Sequence, residues 1–218
     1  MHARLSIPVL VFLALACGQP DDGWQRVKEK LKLIGERDHR YRKQMDSIGR
    51  LEGWQSDAVE RLYDKQRKLD SVNLADVEAL IDRYGYPSKD RVGELVTVPF
   101  DVIQHSGDSI MTNYLEVILG AAANGDLPWN QVAVFHDRIL IEQRQPQEYG
   151  TQIWIDFIEN KKTGEQYDSV YLWPVRNYAT VDKRRVNVGL DSLAVHLRRY
   201  NIDPTRGYLV KKSGSAAH

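Results

Sequence analysis

The sequence predicts a mainly α (α+β) fold, in which a helical, bundle-like body is followed by a C-terminal β-hairpin. Apolar residues recur at steps of three and four from Val27 onward, the spacing that places them on one face of a helix. From Gly150 that period ends, and two runs of strand-forming residues follow. With 218 residues, 42% of them hydrophobic and 28% charged, the chain is long enough for one globular domain, placed at residues 24–212.

The N-terminus has the pattern of a secretory signal peptide, placed at residues 1–16. Arg4 is followed by an apolar stretch from Leu5 to Ala16, which is too short to span a bilayer. Cys17, the only cysteine of the chain, comes next, so cleavage before it would make it the first residue. A chain without a second cysteine forms no internal disulfide.

These residues resemble a bacterial lipobox, in which the cysteine thiol is lipidated. Ala14-Leu15-Ala16 departs from the residues that this motif prefers, so an ordinary signal peptide with an incidental cysteine is the alternative. Lipidation of Cys17 predicts a protein anchored in the bacterial cell envelope, on the periplasmic or cell-surface face of the outer membrane. Residues 17–23 are then the lipidated cysteine and a polar tether.

Three helices are predicted in the first half of the domain, at residues 27–48, 56–69 and 73–85. The first has a regular apolar stripe that only Asp38 interrupts, and glycines at 49 and 53 predict its end. Residues 95–99 are either extended or the start of the next helix, and a short helix is predicted up to His105.

Two further helices and the hairpin complete the predicted fold. Ser109 is a typical N-cap for a helix that ends near residues 124–126, and Pro128 suits the first turn of the helix that carries residues 136–138. Strands are predicted at 152–158 and 167–173, joined by a turn at 162–164. Two short helices are predicted around Gly189, and residues 213–218 are predicted to be a disordered tail.

Several classes of function lack support in the sequence. The formal net charge is zero and the pI is about 7.0, so no nucleic-acid partner is predicted. No HExxH motif or Cys/His cluster predicts a metal site. No GxSxG motif, phosphate loop or dinucleotide-binding glycine pattern is present, and no cofactor is predicted.

Charges within apolar patterns are the candidate functional residues. Asp38 interrupts the first helical stripe, and Asp137 with Arg138 lies in a helix that is apolar nearly all round. An unpaired buried charge costs several kcal/mol, so such groups pair with each other or bind a ligand. Arg42 or Arg138 is suited to hold one of the aspartates. A buried ion-pair network that only fixes the helices is the alternative.

His105 and the 147–152 loop are the other candidates. A histidine near a helix end is a catalytic base, a metal ligand or a cap. In the loop, Gly150 allows a positive φ, and the polar side chains around it offer donors and acceptors from one tight segment. That loop suits a polar ligand and equally suits tying the loop to helix ends.

Several spaced motifs resemble a bacterial family, mostly lipoproteins, that is known only as a domain of unknown function. The similarity covers about residues 36–200, and this chain departs from the family's frequent residues at Tyr86 and His39. The motifs are Asp38 with Tyr41-Arg42, Asp70 to Asn73, Gly85 to Pro87 with Val92-Gly93, Ile103 to His105, Asp137-Arg138, Gln147 to Gln152, and Val181 to Arg185 with Val188 to Leu190. The resemblance supports this choice of residues and implies no reaction.

Three functions follow as hypotheses. The first is a lipoprotein domain that binds a small polar ligand or an envelope component in one buried polar pocket. The second is an envelope hydrolase or transferase, with His105 as general base, Asp137 as its orienting partner, and Arg138 or Arg42 as the electrophilic group. The third is a purely structural envelope protein. The candidate catalytic residues are His105, Asp137 and Arg138, and the candidate ligand-binding residues are Asp38, Arg42, Gln147, Tyr149, Gly150, Thr151, Gln152 and Arg185.

Overall fold

The computed structural model describes residues 22–205 and 208–212. The predicted signal peptide, Cys17 and the predicted tail at 213–218 lie outside these ranges. The first helix begins at Asp22, so the last two residues of the predicted tether are helical. In the described part of the chain, no helix is long and apolar enough to cross a membrane.

The predicted mainly α (α+β) fold is confirmed. The α-helices are α1 Asp22–His39, α2 Arg42–Glu52, α3 Asp57–Tyr84, α4 Lys89–Val92, α5 Val98–Gln104, α6 Asp108–Ala123, α7 Trp129–Glu142, α8 Val181–Asn187 and α9 Leu193–Arg198. Short 3₁₀ turns at Gly93–Thr97 and Tyr178–Thr180 lead into α5 and α8. The strands are β1 Ile153–Glu159, β2 Gln166–Leu172 and β3 Tyr208–Lys212.

The single helix predicted over residues 27–48 is wrong, because α1 and α2 are separate helices. The buried amide of Gln66 lies between them: Oε1 accepts Tyr41 N–H at 3.1 Å, and Nε2 donates to Arg37 O at 3.2 Å. Those two backbone groups would bond to each other in a continuous helix, so Gln66 takes the place of that bond. The apolar spacing continues across the break and therefore does not reveal it.

The two helices predicted at 56–69 and 73–85 are one helix of 28 residues, α3, about 42 Å long. It starts where the sequence predicts, and Ser56 caps that start by accepting Val59 N–H at 3.5 Å. Asp70 and Asn73, which lie at the predicted break, contact α2 and α1. Asn73 is fully buried and donates to Ile34 O at 3.3 Å.

The core divides between two regions, which we name the helical body (residues 22–142) and the C-terminal unit (residues 147–205 and 208–212). The largest apolar cluster lies in the helical body and includes Leu31, Ile34, Val77, Phe100, Ile103 and Ile118. A smaller one, with Val170, Val181, Leu193, Leu197 and Ile202, lies between the sheet and the last two helices. The C-terminal unit therefore has its own buried apolar centre.

The predicted hairpin is confirmed, and a third strand extends it. β1 and β2 are antiparallel, with Ile155 opposite Val170, and β3 pairs antiparallel with the other edge of β2. β3 was not predicted, because five residues near the chain end give little pattern without the strand that pairs with them.

Candidate functional site

Asp38, Arg42 and His105 meet where α1, α2 and α5 come together. Asp38 Oδ1 lies 3.1 Å from His105 Nδ1 and accepts a hydrogen bond from Arg42 Nη2 at 3.3 Å. Arg42 Nη2 also donates to Asp70 of α3 at 2.8 Å. The sequence predicted these three residues in one pocket with Asp137, Arg138 and the 147–152 loop; the structure brings the three together with Asp70 and Gln66 instead.

Asp38 is an ionised carboxylate held inside the protein. Its side chain is only 2% exposed. Burial by itself raises the pKa of Asp38, but the contacts with His105 and Arg42 outweigh burial and lower that pKa below its ordinary value. Its second oxygen, Oδ2, is buried without a hydrogen bond among the described residues, and His39 Nδ1 lies 3.7 Å from it. This carboxylate therefore has unused acceptor capacity.

The contact with Asp38 fixes the orientation of the His105 ring. Because the carboxylate only accepts, the proton of the neutral imidazole lies on Nδ1 and the lone pair on Nε2. The side chain is 32% exposed, and Nε2 makes no hydrogen bond to any described residue. His105 is thus arranged to take up a proton at the protein surface.

A second carboxyl group lies close to this pair. Asp101, one turn before His105 on α5, is half-buried and accepts a hydrogen bond from Gln104 Nε2 at 3.0 Å. Burial and the neighbouring Asp38 carboxylate raise the pKa of Asp101. Asp101 was not among the predicted site residues, since one aspartate in a short helix gives no signal of its own.

Asp137 is completely buried in α7 and holds the 147–152 loop. Oδ1 accepts the backbone N–H of Glu148 at 2.7 Å and of Tyr149 at 3.0 Å. Oδ2 accepts the N–H of Thr151 at 2.9 Å and its hydroxyl at 3.0 Å. Burial raises the pKa of Asp137, whereas these donors favour its ionised form. Asp137 therefore does not orient His105; Asp38 has that position.

The remaining loop residues also contact each other. Gln147 is fully buried, donates to Gln152 O at 3.0 Å and Trp173 O at 2.9 Å, and accepts Gln152 N–H at 2.6 Å. Gly150 has a φ of +66°, and a Cβ there would lie 3.1 Å from Val175 and 3.2 Å from Leu193. These contacts fix the conformation of the loop. The amide of Gln147 is used for hydrogen bonds within the protein and does not face a ligand.

Arg138 bonds to neither Asp38 nor Asp137 in the described part of the chain. It is exposed, donates from Nη1 to Gln104 O at 3.1 Å, and lies 3.8 Å from Asp108. His136, Asp137 and Arg138 do not form one buried network, because adjacent residues on a helix differ in direction by about 100°. Of the three, Asp137 is buried, His136 is half-buried and Arg138 is exposed.

Arg185 holds the loop from the opposite side. The side chain is 1% exposed, and its Nη1 donates to Tyr149 O at 2.7 Å and Gly150 O at 3.2 Å. Nε donates to Asp191 O at 2.6 Å. Burial lowers the pKa of Arg185. The loop peptides therefore lie between a buried carboxylate, Asp137, and a buried guanidinium group.

A cleft of about 560 Å³ opens where α7, the start of β1 and the α8–α9 segment meet. It is lined by Asn130, Val134, Thr151, Gln152, Ile153, Arg185, Gly189, Leu190, Asp191, His196, Arg199 and Tyr200. A shallower groove of about 350 Å³ adjoins it, shares Asn130, Val134 and Leu190, and reaches Asp101 and Gln104. The sequence missed Asn130, His196 and Arg199, whose polarity is ordinary for exposed helix positions.

A larger groove between α2 and α3 lies apart from that cleft. It measures about 590 Å³ and is lined mainly by Met45, Trp54, Val59 and Tyr63, with Arg42 at its edge. Asp46, Gln55, Ser56 and Glu60 also line it, most of its exposed surface is apolar, and Arg42 is already paired with two aspartates. Within the described ranges, no three His, Cys, Asp or Glu side chains are grouped so as to hold a metal ion.

The candidate residues therefore form two groups rather than one pocket. Asp38, Arg42 and His105 belong to the helical body. Asp137 and Arg185, with Gln147 and the 149–152 segment, form the contact between α7 and the C-terminal unit.

A family model described as "Family of unknown function (DUF6624)" matches residues 25–211. No curated protein and no solved structure matches the chain.

Proposed function

The chain belongs to the family of unknown function DUF6624, and we propose that it binds a small polar ligand in the cleft between α7 and the α8–α9 segment. The observation that carries the proposal is the convergence of polar groups from the helical body and the C-terminal unit on one cleft. The cleft volume of about 560 Å³ lies in the usual range for small-molecule sites.

In this proposal some of the predicted residues contact the ligand, and others only position the wall of the cleft. Thr151, Gln152 and Arg185 line the cleft and would contact the ligand. Asp137 and Gln147 are saturated by backbone groups, so they position the cleft wall without touching the ligand. The wall is rigid before a ligand arrives, which reduces the entropy lost on binding.

The predicted N-terminus gives the proposed site its location. A lipid on Cys17 would hold the domain at a membrane of the bacterial cell envelope, and only the few residues up to Asp22 would separate the lipid from α1. The ligand would then be a molecule of the envelope compartment. Radiolabelled palmitate incorporation that depends on Cys17 tests this location, and equal labelling of a Cys17→Ser variant would refute it.

Thermal unfolding of residues 18–218 against envelope metabolites, glycan fragments and peptides tests the ligand. A ligand at about 100 times its Kd stabilises the fold by about 2.7 kcal/mol, which raises the unfolding midpoint by about 5–10 °C. Asn130→Trp, at an exposed position on the cleft rim, should abolish the shift. Asn124→Trp, exposed outside the cleft, is the matched control. A shift that both variants retain would place the ligand elsewhere.

The Asp38–His105 pair supports a second candidate function, an envelope hydrolase or transferase. In that function His105 Nε2 takes a proton from water or from a substrate hydroxyl, and Asp38 positions the ring and stabilises its charge. Turnover of ester, phosphoester and glycoside reporters by wild type and by His105→Gln tests it. His39→Gln, an exposed histidine beside the same carboxylate, is the control. Turnover that survives His105→Gln, or none in the wild type, would eliminate this candidate.

A further inference from the structure

We infer that the cleft recognises an anionic oxygen group, a carboxylate or a phosphate, and that Nη2 of Arg185 binds it. This inference rests on the proposed function and names the chemical class of its ligand. It starts from the cleft wall, where Arg185 is 1% exposed and yet lines the open space.

The hydrogen bonds of Arg185 leave one nitrogen over. Nε and Nη1 donate to three backbone carbonyls, those of Asp191, Tyr149 and Gly150. Nη2 donates to no described residue, and Arg185 forms no ion pair with a carboxylate in the described part of the chain. Carbonyl oxygens carry only partial charges, and buried full charges are normally paired.

Each neighbouring carboxylate is already committed to another group. Asp137, Asp182 and Asp191 are the acids that act on Arg185 through space. Asp137 accepts hydrogen bonds from the 147–152 loop, and Asp182 Oδ1 accepts Leu193 N–H at 2.6 Å. Asp191 pairs with Arg199 through its carboxylate and offers Arg185 only its backbone carbonyl. An anion in the cleft would be the first direct partner of the guanidinium charge.

The rest of the lining favours the same ligand charge. Among the described lining residues, Arg185 and Arg199 carry two positive charges and Asp191, which pairs with Arg199, carries the one negative charge, so the net charge is positive. His196 donates from Nε2 to Thr151 O at 3.0 Å, and burial and the nearby Arg185 lower its pKa, so it adds a neutral polar wall. A carboxylate or phosphate matches guanidinium donors in geometry and charge.

The volume indicates an anionic group on a larger molecule. About 560 Å³ exceeds the space that one phosphate or carboxylate fills, and Val134 and Leu190 line the way to the adjoining groove. Apolar contacts there suit the uncharged remainder of the ligand. A small anion should therefore bind weakly, and a longer molecule that ends in the same anion should bind more tightly.

The experiment follows arginine side-chain ¹⁵N–¹H signals of residues 18–218 during titration with inorganic phosphate and with succinate, at constant ionic strength. Saturable shifts of the Arg185 signals are expected for at least one anion. The anion that binds more tightly identifies whether the cleft prefers a phosphate or a carboxylate group. Choline chloride is the cationic control. Arg199→Gln should weaken binding about fivefold to tenfold, because it removes the second cation of the cleft. Arg198→Gln, the exposed neighbour outside the cleft, should leave it unchanged.

Two outcomes overturn the inference. One is the absence of saturable Arg185 shifts with either anion in a folded wild-type protein. The other is equal weakening by Arg199→Gln and Arg198→Gln, which marks non-specific attraction to positive charge. Arg185→Lys keeps the charge and loses the extra donor, so binding that survives it in a folded protein also contradicts the role of Nη2. A neutral ligand that Asn130→Trp excludes would still support the proposed function after any of these results.

Discussion

Asp38 and Asp137 are both buried aspartates on helices, yet their surroundings differ in kind. Asp38 meets side chains, His105 and Arg42, and keeps one oxygen without a hydrogen bond among the described residues. Asp137 meets backbone N–H groups and one hydroxyl, and both of its oxygens are used. The first carboxylate is buried beside a partly exposed imidazole, and the second supplies the hydrogen-bond acceptors for the backbone N–H groups of a loop.

The difference separates a carboxylate that can still act from one that cannot. A carboxylate surrounded by fixed donors has no geometry left for a proton or a substrate. A carboxylate bonded to a half-exposed imidazole orients a ring that solvent reaches, and it stabilises the positive charge that the ring gains when it takes up a proton. Burial alone marks both residues as unusual, and only the partners distinguish a structural role from a chemical one.

The largest expected effect is that of Asp137→Asn. In either orientation of the new amide, Nδ2 replaces an oxygen that accepts backbone N–H groups, those of Glu148 and Tyr149 or that of Thr151. Two donors then face each other, and neither has an acceptor. Unfolding in urea should show a loss of about 3–5 kcal/mol. Thr151→Val, which removes one hydroxyl bond, should cost about 1 kcal/mol. Equal losses for the two variants would contradict the saturated-carboxylate interpretation.

Asp38→Asn should have a smaller effect, because an asparagine Oδ1 still accepts from His105 and Arg42. A loss of about 2–3 kcal/mol is expected near neutral pH. Because the folded pKa of Asp38 lies below its ordinary 3.8, the ionised group stabilises the fold above that pH. This contribution is lost as the pH falls through the lower, folded pKa.

The difference between wild type and Asp38→Asn should therefore shrink on acidification below about pH 4. Urea unfolding at several pH values measures it. A difference that stays constant down to pH 2 would show that the charge of Asp38 does not stabilise the fold. His39→Gln, which alters an exposed neighbour, should change stability by less than about 0.5 kcal/mol.

Gly150→Ala tests how closely the loop of Asp137 packs. The position combines a φ of +66° with contacts of 3.1 and 3.2 Å for a new Cβ, so about 2–3 kcal/mol should be lost. Gly125→Ala has a similar φ of +81° and open space around the Cβ, and it should cost about 1 kcal/mol. Thermal or urea unfolding compares them, and equal costs would mean that the loop relaxes away from Val175 and Leu193.

Arg138→Gln should have the smallest effect. Its ion pair with Asp108 is exposed and 3.8 Å long, and such pairs contribute about 0–1 kcal/mol. The unfolding midpoint of this variant should lie within error of the wild type. A large drop in the unfolding midpoint would instead indicate that Arg138 stabilises the fold through an interaction with its neighbour Asp137.

The sequence identifies buried charges better than it identifies their partners. Asp38 and Asp137 stand out because each interrupts an apolar helical pattern, and both are buried. The partners come from residues 67 and 11–14 positions away, which no local pattern encodes. Gln66 had no signal at all, because an amide inserted between two helices looks like any polar residue of α3. β3 was missed for the same reason, since its pattern depends on pairing with β2.

The distances along the chain between these contacts also set an order of assembly. The Asp137 contact with Thr151 joins residues 14 positions apart, whereas Asp38 and His105 are separated by 67. Closing the longer loop costs about 1.4 kcal/mol more in chain entropy. During synthesis from the N-terminus, however, Asp38 and His105 emerge before residue 151 does. On the ribosome the costlier closure is available first, whereas a chain refolding from denaturant should form the Asp137 loop first. The two routes to the same fold therefore begin at opposite ends of the molecule.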